Sequence, residues 1–242
     1  MRILTVPEDT AVLRTKSQAI KEIDAELMAF LRDLGKTLKR QKDPAGVGLS
    51  AIQVGKPIRV FAIYLPEEEN NEQKTMSNEE KTKSKKQKAK IVFYINPEII
   101  GHSKDMTLGE DLVEKNQQPI TNNSRPFLEG CLSIPDIYGP VLRWPWIKAK
   151  ATVLSENDLL DISRHGRLDL QLLDTSTINK KQVFPRSGIL LRRTNFRLET
   201  LAGRVFQHEL DHLNGILFTD HTLAQGNKFY QDSGNGMEEV NL

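Results

Sequence analysis

Several sequence features that indicate a class of protein or fold are scarce in this 242-residue chain. The only cysteine is Cys131, so no disulfide can form within the chain and cross-links of that kind cannot stabilise the fold. No stretch approaches the ~18 consecutive apolar residues of a membrane-spanning helix, so we expect no membrane partner. The formal net charge of +2 is too small to predict nucleic acid as a partner. What remains is a chain long enough to bury a hydrophobic core of its own.

The spacing of apolar residues predicts both helices and strands. Residues 23–41 place apolar side chains every three or four positions, the period of an amphipathic helix, with Asp24 as the N-cap. Residues 199–214 follow the same period and end before Gly215, a residue type common at helix C-termini. Clusters of β-branched and aromatic residues predict strands at 58–64, 91–95, 141–144 and 147–154. We therefore predict an α+β fold, with antiparallel β-sheets packed around a central helix.

The C-terminal segment is polar and contains glycine, which predicts a loosely ordered tail over 222–242. Polar stretches also lie at about 67–90 and 104–125. The first consists almost entirely of polar and charged residues, and it has too little apolar surface to offset the entropy of ordering. Residues 167–172 alternate polar and apolar side chains, which predicts an antiparallel strand with one solvated face.

The run QHELDH at residues 207–212 carries the strongest chemical signal. Its histidines, His208 and His212, are four residues apart and share one face of a helix, so both rings can bind one metal ion. Glu209 follows the first histidine directly and can act beside that ion. Because HExxH runs also arise by chance, the identity of a third ligand decides which class of hydrolase is present.

Two further segments supply that ligand and a family resemblance. Residues 46–53 read GVGLSAIQ and residues 129–135 read EGCLSIP; together with QHELDHLNG at 207–215 they resemble the three signature motifs of the peptide deformylases. The resemblance runs from Met1 to about His221 and implies one domain over 1–221. The spacings between the motifs are longer than is usual for the family, which implies inserts at about 67–90, 104–125 and 155–196, and we expect the last to add a hairpin. It implies a hydrolase that removes the N-formyl group from the N-terminal methionine of newly made polypeptides and releases formate. Its substrates would be N-formyl-Met peptides and nascent chains.

The resemblance also implies a metal site and a general base. Cys131, His208 and His212 would be the metal ligands, with the cysteine bound as a thiolate and the fourth tetrahedral position left open for water. Glu209 would act as general base on that water and later deliver the proton to the leaving amine. The resemblance suggests Fe(II) as the native ion, although such a ligand set also accepts Zn(II), Ni(II) or Co(II).

The remaining motif residues match substrate contacts of the family. The Gln53 side-chain amide and the backbone N–H of Leu132 would stabilise the negative oxygen that forms on the attacked carbonyl. An extended peptide would pair with backbone at Val47, Gly48 and Gly130 as an added strand. Apolar candidates for a side-chain pocket are Val47, Leu132, Leu201 and Val205.

The surroundings of the motifs allow several weaker inferences. We expect Glu129 to pair with Arg143 and brace the cysteine loop, and Asp211 to accept a hydrogen bond from a ligand imidazole or cap local backbone. Tyr138 stands where many members of the family carry an arginine near the peptide, so substrate anchoring can differ. The polar tail does not resemble the basic C-terminal helix that docks some bacterial members on the ribosome, and ribosome contact is left open.

Two alternatives and the compartment also remain open at this point. A zincin-type metallopeptidase would use a downstream glutamate as third ligand, for which Glu238 and Glu239 are the candidates. A catalytically inactive, metal-stabilised binding protein would need a fourth protein ligand. Formylated initiation implies the bacterial cytoplasm or a bacteria-derived organelle, and the charged insert favours a mitochondrion or plastid.

Overall fold

The computed structural model describes residues 1–42, 45–66, 89–112, 126–165, 170–171, 193–234 and 236–241. Most of the three predicted inserts, at 67–88, 113–125 and 172–192, therefore lies outside the described residues. The helices are α1 (Thr10–Leu13), α2 (Ala25–Arg40), α3 (Glu156–His165), α4 (Thr200–Leu213) and α5 (Phe218–Ala224), with short 3₁₀ turns at Ala51–Val54 and Glu110–Leu112. The strands are β1 (Glu22–Ile23), β2 (Gly48–Ser50), β3 (Val60–Pro66), β4 (Ala89–His102), β5 (Leu128–Cys131), β6 (Ile134–Pro140), β7 (Trp146–Ser155), β8 (Leu170–Gln171), β9 (Arg193–Glu199), β10 (Phe229–Asp232) and β11 (Met237–Val240).

Within these residues the strands form antiparallel sheets. The larger has the order β2-β3-β4-β7-β9, the smaller has the order β11-β10-β6-β5, and β1 pairs with β8. Helices pack on the sheets, so the predicted α+β class is confirmed. No helix among the described residues is long and apolar enough to span a bilayer.

The larger sheet is buried on both faces, as β3 shows. Val60 and Ala62 face the core cluster formed with α2, whereas Phe61 and Ile63 face a second cluster formed with α4. Because side chains of a strand alternate between faces, four consecutive apolar residues cover both sides of one strand. The sheet therefore separates two helices, α2 and α4.

Helix α2 agrees with its prediction. The Asp24 carboxylate accepts a hydrogen bond from the Leu27 N–H at 2.7 Å, which satisfies one of the amides left open at the helix start. Its apolar stripe, which includes Leu31, Leu34 and Leu38, is fully buried against the sheet. This packing supplies most of the stability of the helix, since burial of a leucine side chain contributes roughly 1.5–3 kcal/mol.

Helix α4 occupies the central position that the sequence predicts for it. Phe206 is fully buried and lies 5.0 Å from Phe61 and 5.2 Å from Tyr94, measured between ring centroids. The helix ends before Gly215, whose φ of +75° belongs to the left-handed region. A Cβ at Gly215 would lie 2.3 Å from the Arg14 carbonyl oxygen, so both backbone conformation and space require glycine there.

The polar segment that follows α4 is built into the fold, which corrects the expectation of a loosely ordered tail. Helix α5 is followed by the hairpin of β10 and β11, and Tyr230 of β10 pairs with Tyr138 of β6. Phe218 and Phe229 are buried in a third apolar cluster together with Cys131. These few apolar side chains anchor a segment whose overall composition is polar.

The third predicted insert begins with helix α3; the Ser155 hydroxyl accepts from the Asp158 N–H while the Asp158 carboxylate accepts from the Ser155 N–H, a capping box. Buried Leu159 then holds α3 in the α2 cluster. Where a hairpin is expected, Leu170 and Gln171 form β8, and the remainder at 166–169 and 172–192 lies outside the described residues. The predicted strand at 141–144 is wrong: it contains only an isolated bridge between Arg143 and Thr107, because prolines bound the segment on both sides.

Candidate metal centre and catalytic cleft

Three predicted ligands come together beside α4. Cys131 ends strand β5, while His208 and His212 lie one helical turn apart on α4. Their candidate ligand atoms all lie within 4.8 Å of one another, and the Cys131 Sγ is 3.1 Å from the His212 Nε2. Residues separated by 77 positions in the chain thus form one cluster of donor atoms of the kind that binds first-row transition metals.

An irregularity between β5 and β6 brings Cys131 into this position. The register runs from Gly130 opposite Tyr138 to Cys131 opposite Ile134, so three residues of β6 are skipped in one step. Such bulges reorient side chains and are frequent beside active sites. The tight turn also lets the Ser133 N–H donate to the Cys131 Sγ at 3.4 Å.

Charge and burial oppose each other in this cluster. Burial alone would raise the pKa of the Cys131 thiol, but the charge and hydrogen bonds of His212 and His208 outweigh it and lower that pKa well below its usual value. Burial would lower the pKa of His208, but hydrogen bonds to Cys131 and Glu129 raise it. The lowered pKa favours the thiolate of Cys131, which is the form that binds metal.

Glu129 anchors the first histidine. Its Oε2 lies 3.1 Å from the His208 Nδ1, and its two oxygens accept from the Arg143 Nε at 3.0 Å and the Arg143 NH2 at 2.9 Å. The predicted pair of Glu129 and Arg143 is present in the structure. Because Glu129 occupies the Nδ1, the Nε2 of His208 is the ring atom left for the metal side. Burial would raise the pKa of Glu129, but Arg143 and His208 lower it, so the group stays ionised.

Asp211 has a different role from the predicted one. Its carboxylate pairs with Arg143 and lies 2.9 Å from the His221 Nε2, while the Nδ1 of His212 has no hydrogen-bond partner among the described residues. Adjacent residues of a helix point in different directions, so Asp211 cannot reach the ring of His212 beside it. Asp211 instead extends the ion-pair network to His221.

Glu209 is a buried carboxylate placed beside the three donors. Its side chain is 2% exposed, and within the described part of the chain its Oε2 has no hydrogen-bond partner. Burial raises its pKa to about 7, against the opposing effect of the two histidines. A carboxylate with that pKa can both take and return a proton near neutral pH.

Gln53 points its amide nitrogen at the same cluster. The Gln53 Oε1 accepts from the Ser50 N–H and hydroxyl, both at 2.8 Å, which fixes the amide so that its Nε2 lies 3.5 Å from the Cys131 Sγ and 3.2 Å from the Ser133 Oγ. The donor side of the amide therefore faces the Cys131 sulfur.

A cleft of about 260 Å³ opens in front of these groups. It lies between β2 and β5, which are edge strands of the two sheets. Gly48 of β2 and Gly130 of β5 line it, together with Val47 before β2 and Leu132 after β5. Leu201 and Val205 line it from α4. All the apolar pocket candidates of the sequence are thus at this cleft.

Close neighbours leave no free space for a Cβ at two glycines of the cleft. A Cβ at Gly48 would lie 2.3 Å from the Glu209 Oε1, and a Cβ at Gly130 would lie 2.7 Å from the ring of Tyr138. Tyr138 also lines the cleft, so an aromatic ring stands at the position where the resemblance leads one to expect an arginine.

Comparison with known proteins agrees with this geometry. A model of the polypeptide deformylase family matches residues 1–166 and 189–228. A peptide deformylase of Agrobacterium fabrum is 32% identical over 210 residues, which are 87% of this chain and 81% of that protein. The chain belongs to the peptide deformylase family. A second deformylase, from Rhizorhabdus wittichii, is 30% identical over 219 residues, covering 90% of this chain and 84% of its own.

Solved structures support the fold assignment of this deformylase. A probable peptide deformylase of Synechococcus phage S-SSM7 matches it with a TM-score of 0.54 and 26% identity, covering 91% of this chain and 99% of the phage chain. The predicted enzyme class and reaction, removal of the N-formyl group from nascent polypeptides, are confirmed by family membership. The family is metal-dependent, and the donors of Cys131, His208 and His212, of which His208 is only partly buried, fit a divalent ion.

Neither alternative class is favoured for this deformylase. Glu238 and Glu239, the downstream ligands that a zincin would need, are exposed on β11, and Glu239 pairs with Lys228. A closed structural site would need four protein ligands, and among the described residues this cluster has three.

Some residues of the site are not apparent from the sequence. Ser50 and Ser133 hold Gln53, and Arg204 donates from its NH1 to the Glu129 Oε1 at 2.7 Å. A signal for Arg204 does exist: it precedes His208 by four residues, so it shares the inward face of α4, where a charged residue needs a partner.

Proposed function

We propose that Glu209 moves the proton during hydrolysis of the N-terminal formamide by this enzyme. As the water oxygen bonds to the formyl carbon, Glu209 takes its proton; as the carbon–nitrogen bond breaks, Glu209 delivers that proton to the amine. The products are formate and a free N-terminus. The observation that carries this role is the buried, incompletely hydrogen-bonded carboxylate of Glu209 beside three donor atoms.

Cys131, His208 and His212 would hold one divalent ion, as proposed from their donor atoms. When bound, such an ion supplies Lewis-acid activation of water and of the substrate carbonyl. We propose Fe(II) as the native ion, because the family resemblance points to it, with Zn(II), Ni(II) or Co(II) as substitutes after purification. The Glu129 carboxylate at the His208 Nδ1 supports the ligand assignment, since ligating histidines commonly have such a partner.

The developing oxyanion needs donors, and we assign two. The Gln53 Nε2 is fixed by Ser50 and directed at the cluster. The Leu132 N–H follows the ligand cysteine directly, in the turn that places the Ser133 N–H on the sulfur. Preorganised donors of this kind contribute roughly 2.7–4 kcal/mol each to transition-state stabilisation.

The substrate backbone is proposed to enter the cleft as an added strand. The edges of β2 and β5 both face the cleft, so an extended peptide can pair with Val47, Gly48 and Gly130. Its methionine side chain would contact Leu132, Leu201 and Val205, which give that wall an apolar surface. Backbone pairing suits an enzyme that processes nascent chains of many sequences.

The compartment follows from the substrate. We propose that the enzyme works where initiation of translation uses formyl-methionine, either in the bacterial cytoplasm or in a mitochondrion or plastid. The charged insert favours the organelle. Expression of a fluorescent fusion in eukaryotic cells, with organelle markers, tests that preference; uniform cytosolic fluorescence contradicts it. Ribosome contact remains to be tested by sedimentation with ribosomes.

An anaerobic assay tests the proposed ligand set and substrate together. The wild-type enzyme should release formate from a formyl-Met peptide but no acetate from the matching acetyl-Met peptide. Metal content should be about one ion per chain for the wild type, and it should be lost in the Cys131→Ala variant. Full metal occupancy in Cys131→Ala would contradict the thiolate ligand and favour a different third ligand.

A further inference from the structure

One buried side chain, Arg204, joins the ligand helix to three other segments. It lies one turn before His208 on α4 and is 5% exposed. Its NH1 donates to the Glu129 Oε1 at 2.7 Å and to the Val141 carbonyl at 2.8 Å, and its NH2 donates to the Thr107 carbonyl at 3.1 Å. These contacts connect α4 with β5, with the chain after β6 and with the loop after β4.

That loop is shaped to fit the guanidinium. Gly109 has a φ of +77°, and a Cβ there would lie 2.8 Å from the Arg204 NH2 and 3.0 Å from the Phe127 Cβ. The loop conformation is fixed by the Gly109 N–H, which donates to the Thr107 Oγ1 at 2.7 Å. Since three hydrogen bonds restrain the guanidinium, a methyl group at Gly109 must displace Arg204 or the loop.

The same loop also contacts the second arginine of the network. Thr107 and Arg143 exchange backbone hydrogen bonds, at 2.9 Å and 3.0 Å. The segment Thr107–Gly109 therefore contacts both arginines that bind Glu129. This segment lies at the start of a predicted insert and contains none of the proposed metal ligands.

We propose that Arg204, held in place by Gly109, is a positioning residue for the metal ligands. By fixing α4 against β5, it keeps the imidazoles of His208 and His212 at coordinating distance from the Cys131 thiolate. This inference rests on the metal centre proposed above. It gives the Thr107–Gly109 loop a function in metal binding that is separate from substrate contact.

The direction of the effect distinguishes positioning from electrostatics. Glu129 and Asp211 are balanced by Arg143 and Arg204, so Arg204→Met leaves the surroundings of the site more negative. Coulomb attraction alone would then strengthen the binding of a cation, whereas loss of positioning weakens it. Gly109→Ala changes no charge, so its effect reports position alone.

The experiment measures Co(II) and Zn(II) dissociation constants of the metal-stripped full chain by competition with a chelator, together with the visible spectrum of bound Co(II). Arg204→Met and Gly109→Ala should each weaken metal binding by about 10–100-fold, the usual effect of changing residues that hold metal ligands in position. Both variants should also shift the absorption bands of bound Co(II). The double variant should match Arg204→Met within about twofold, because Gly109 acts through Arg204. Tighter binding by Arg204→Met, or additive effects in the double variant, would overturn the proposal.

Matched controls keep the test decisive. Gly101→Ala adds a methyl group to strand β4, which precedes the Thr107–Gly109 loop, at an ordinary φ and with its nearest contact at 3.6 Å, so its dissociation constant should stay within about twofold of the wild type. Arg204→Lys keeps the positive charge but loses the planar guanidinium, so its dissociation constant should lie between those of the wild type and Arg204→Met. If Arg204→Met fails to fold by circular dichroism, unchanged binding by Gly109→Ala and Arg204→Lys still refutes positioning. A wild type that binds no stoichiometric metal would instead refute the proposed metal centre itself.

Discussion

Gly48→Ala adds one methyl group at the point where β2 meets the proposed general base. The new Cβ would lie 2.3 Å from the Glu209 Oε1, 2.8 Å from its Cδ and 2.9 Å from its Cγ. Carbon atoms in contact are ordinarily ~3.5–4.0 Å apart, so the Glu209 carboxylate must retreat by roughly 1 Å. None of the metal ligands has to move, so metal affinity should be unchanged.

A displacement of that size is large for a group that transfers protons. Misplacement by ~1 Å can lower a rate by about 10²-fold, which corresponds to roughly 2.7 kcal/mol in the activation free energy. We expect kcat for formate release from a formyl-Met peptide to fall by about that factor at full metal occupancy. Gly101→Ala, whose methyl group touches only the Lys148 side chain at 3.6 Å or more, should keep wild-type kcat. A kcat for Gly48→Ala within about threefold of wild type would refute the link between this glycine and Glu209.

Three further predictions concern stability of the metal-free enzyme, measured by urea unfolding. Glu129→Gln removes a counter-charge shared by two buried arginines and should lower the free energy of unfolding by roughly 3–5 kcal/mol. Lys39→Met breaks a largely exposed pair with Glu156 and should lower it by about 1 kcal/mol or less, and equal losses would contradict the role of the buried network. Asp24→Ala removes the N-cap of α2 and should cost ~1 kcal/mol, and no change would show that the cap hydrogen bond is dispensable. Burial raises the pKa of Tyr94 from 10.0 to about 12, so the stability that its neutral phenol contributes is present below pH 10 and is lost as pH rises through 12. Between pH 8 and pH 11 the free energy of unfolding should therefore fall less for Tyr94→Phe than for the wild type, and parallel falls would contradict this.

The predictable part of the fold has local causes. The period of α2 and its Asp24 cap, and the stop of α4 at Gly215, are properties of short stretches of sequence, and both appear where expected. The expectation of a loosely ordered tail is wrong for the segment from α5 to β11, because its average composition is polar although single apolar residues in it are buried. Buried Phe218 and Phe229 suffice to hold it on the smaller sheet.

At the site, the motif residues and the pair of Glu129 with Arg143 were predictable, whereas the contacts of Arg204 behind them were not. Spacing within α4 places both histidines on one face, but no local rule brings Thr107 or Gly109 to Arg204, since those contacts depend on how separate loops pack. The partner of Asp211 was wrong for a geometric reason: its carboxylate points away from the ring of the histidine beside it and meets Arg143. Long-range side-chain contacts of this kind require coordinates.

The most direct test of the account is formate release by Glu209→Ala, measured anaerobically with a formyl-Met peptide and with metal content determined on the same sample. Because Glu209 lies beside the donor cluster and is not one of its three members, the variant should keep the metal content of the wild type. Its kcat should fall by at least ~10²-fold, the usual contribution of a general acid–base group. Near-normal turnover at full metal occupancy would contradict the central role of this carboxylate.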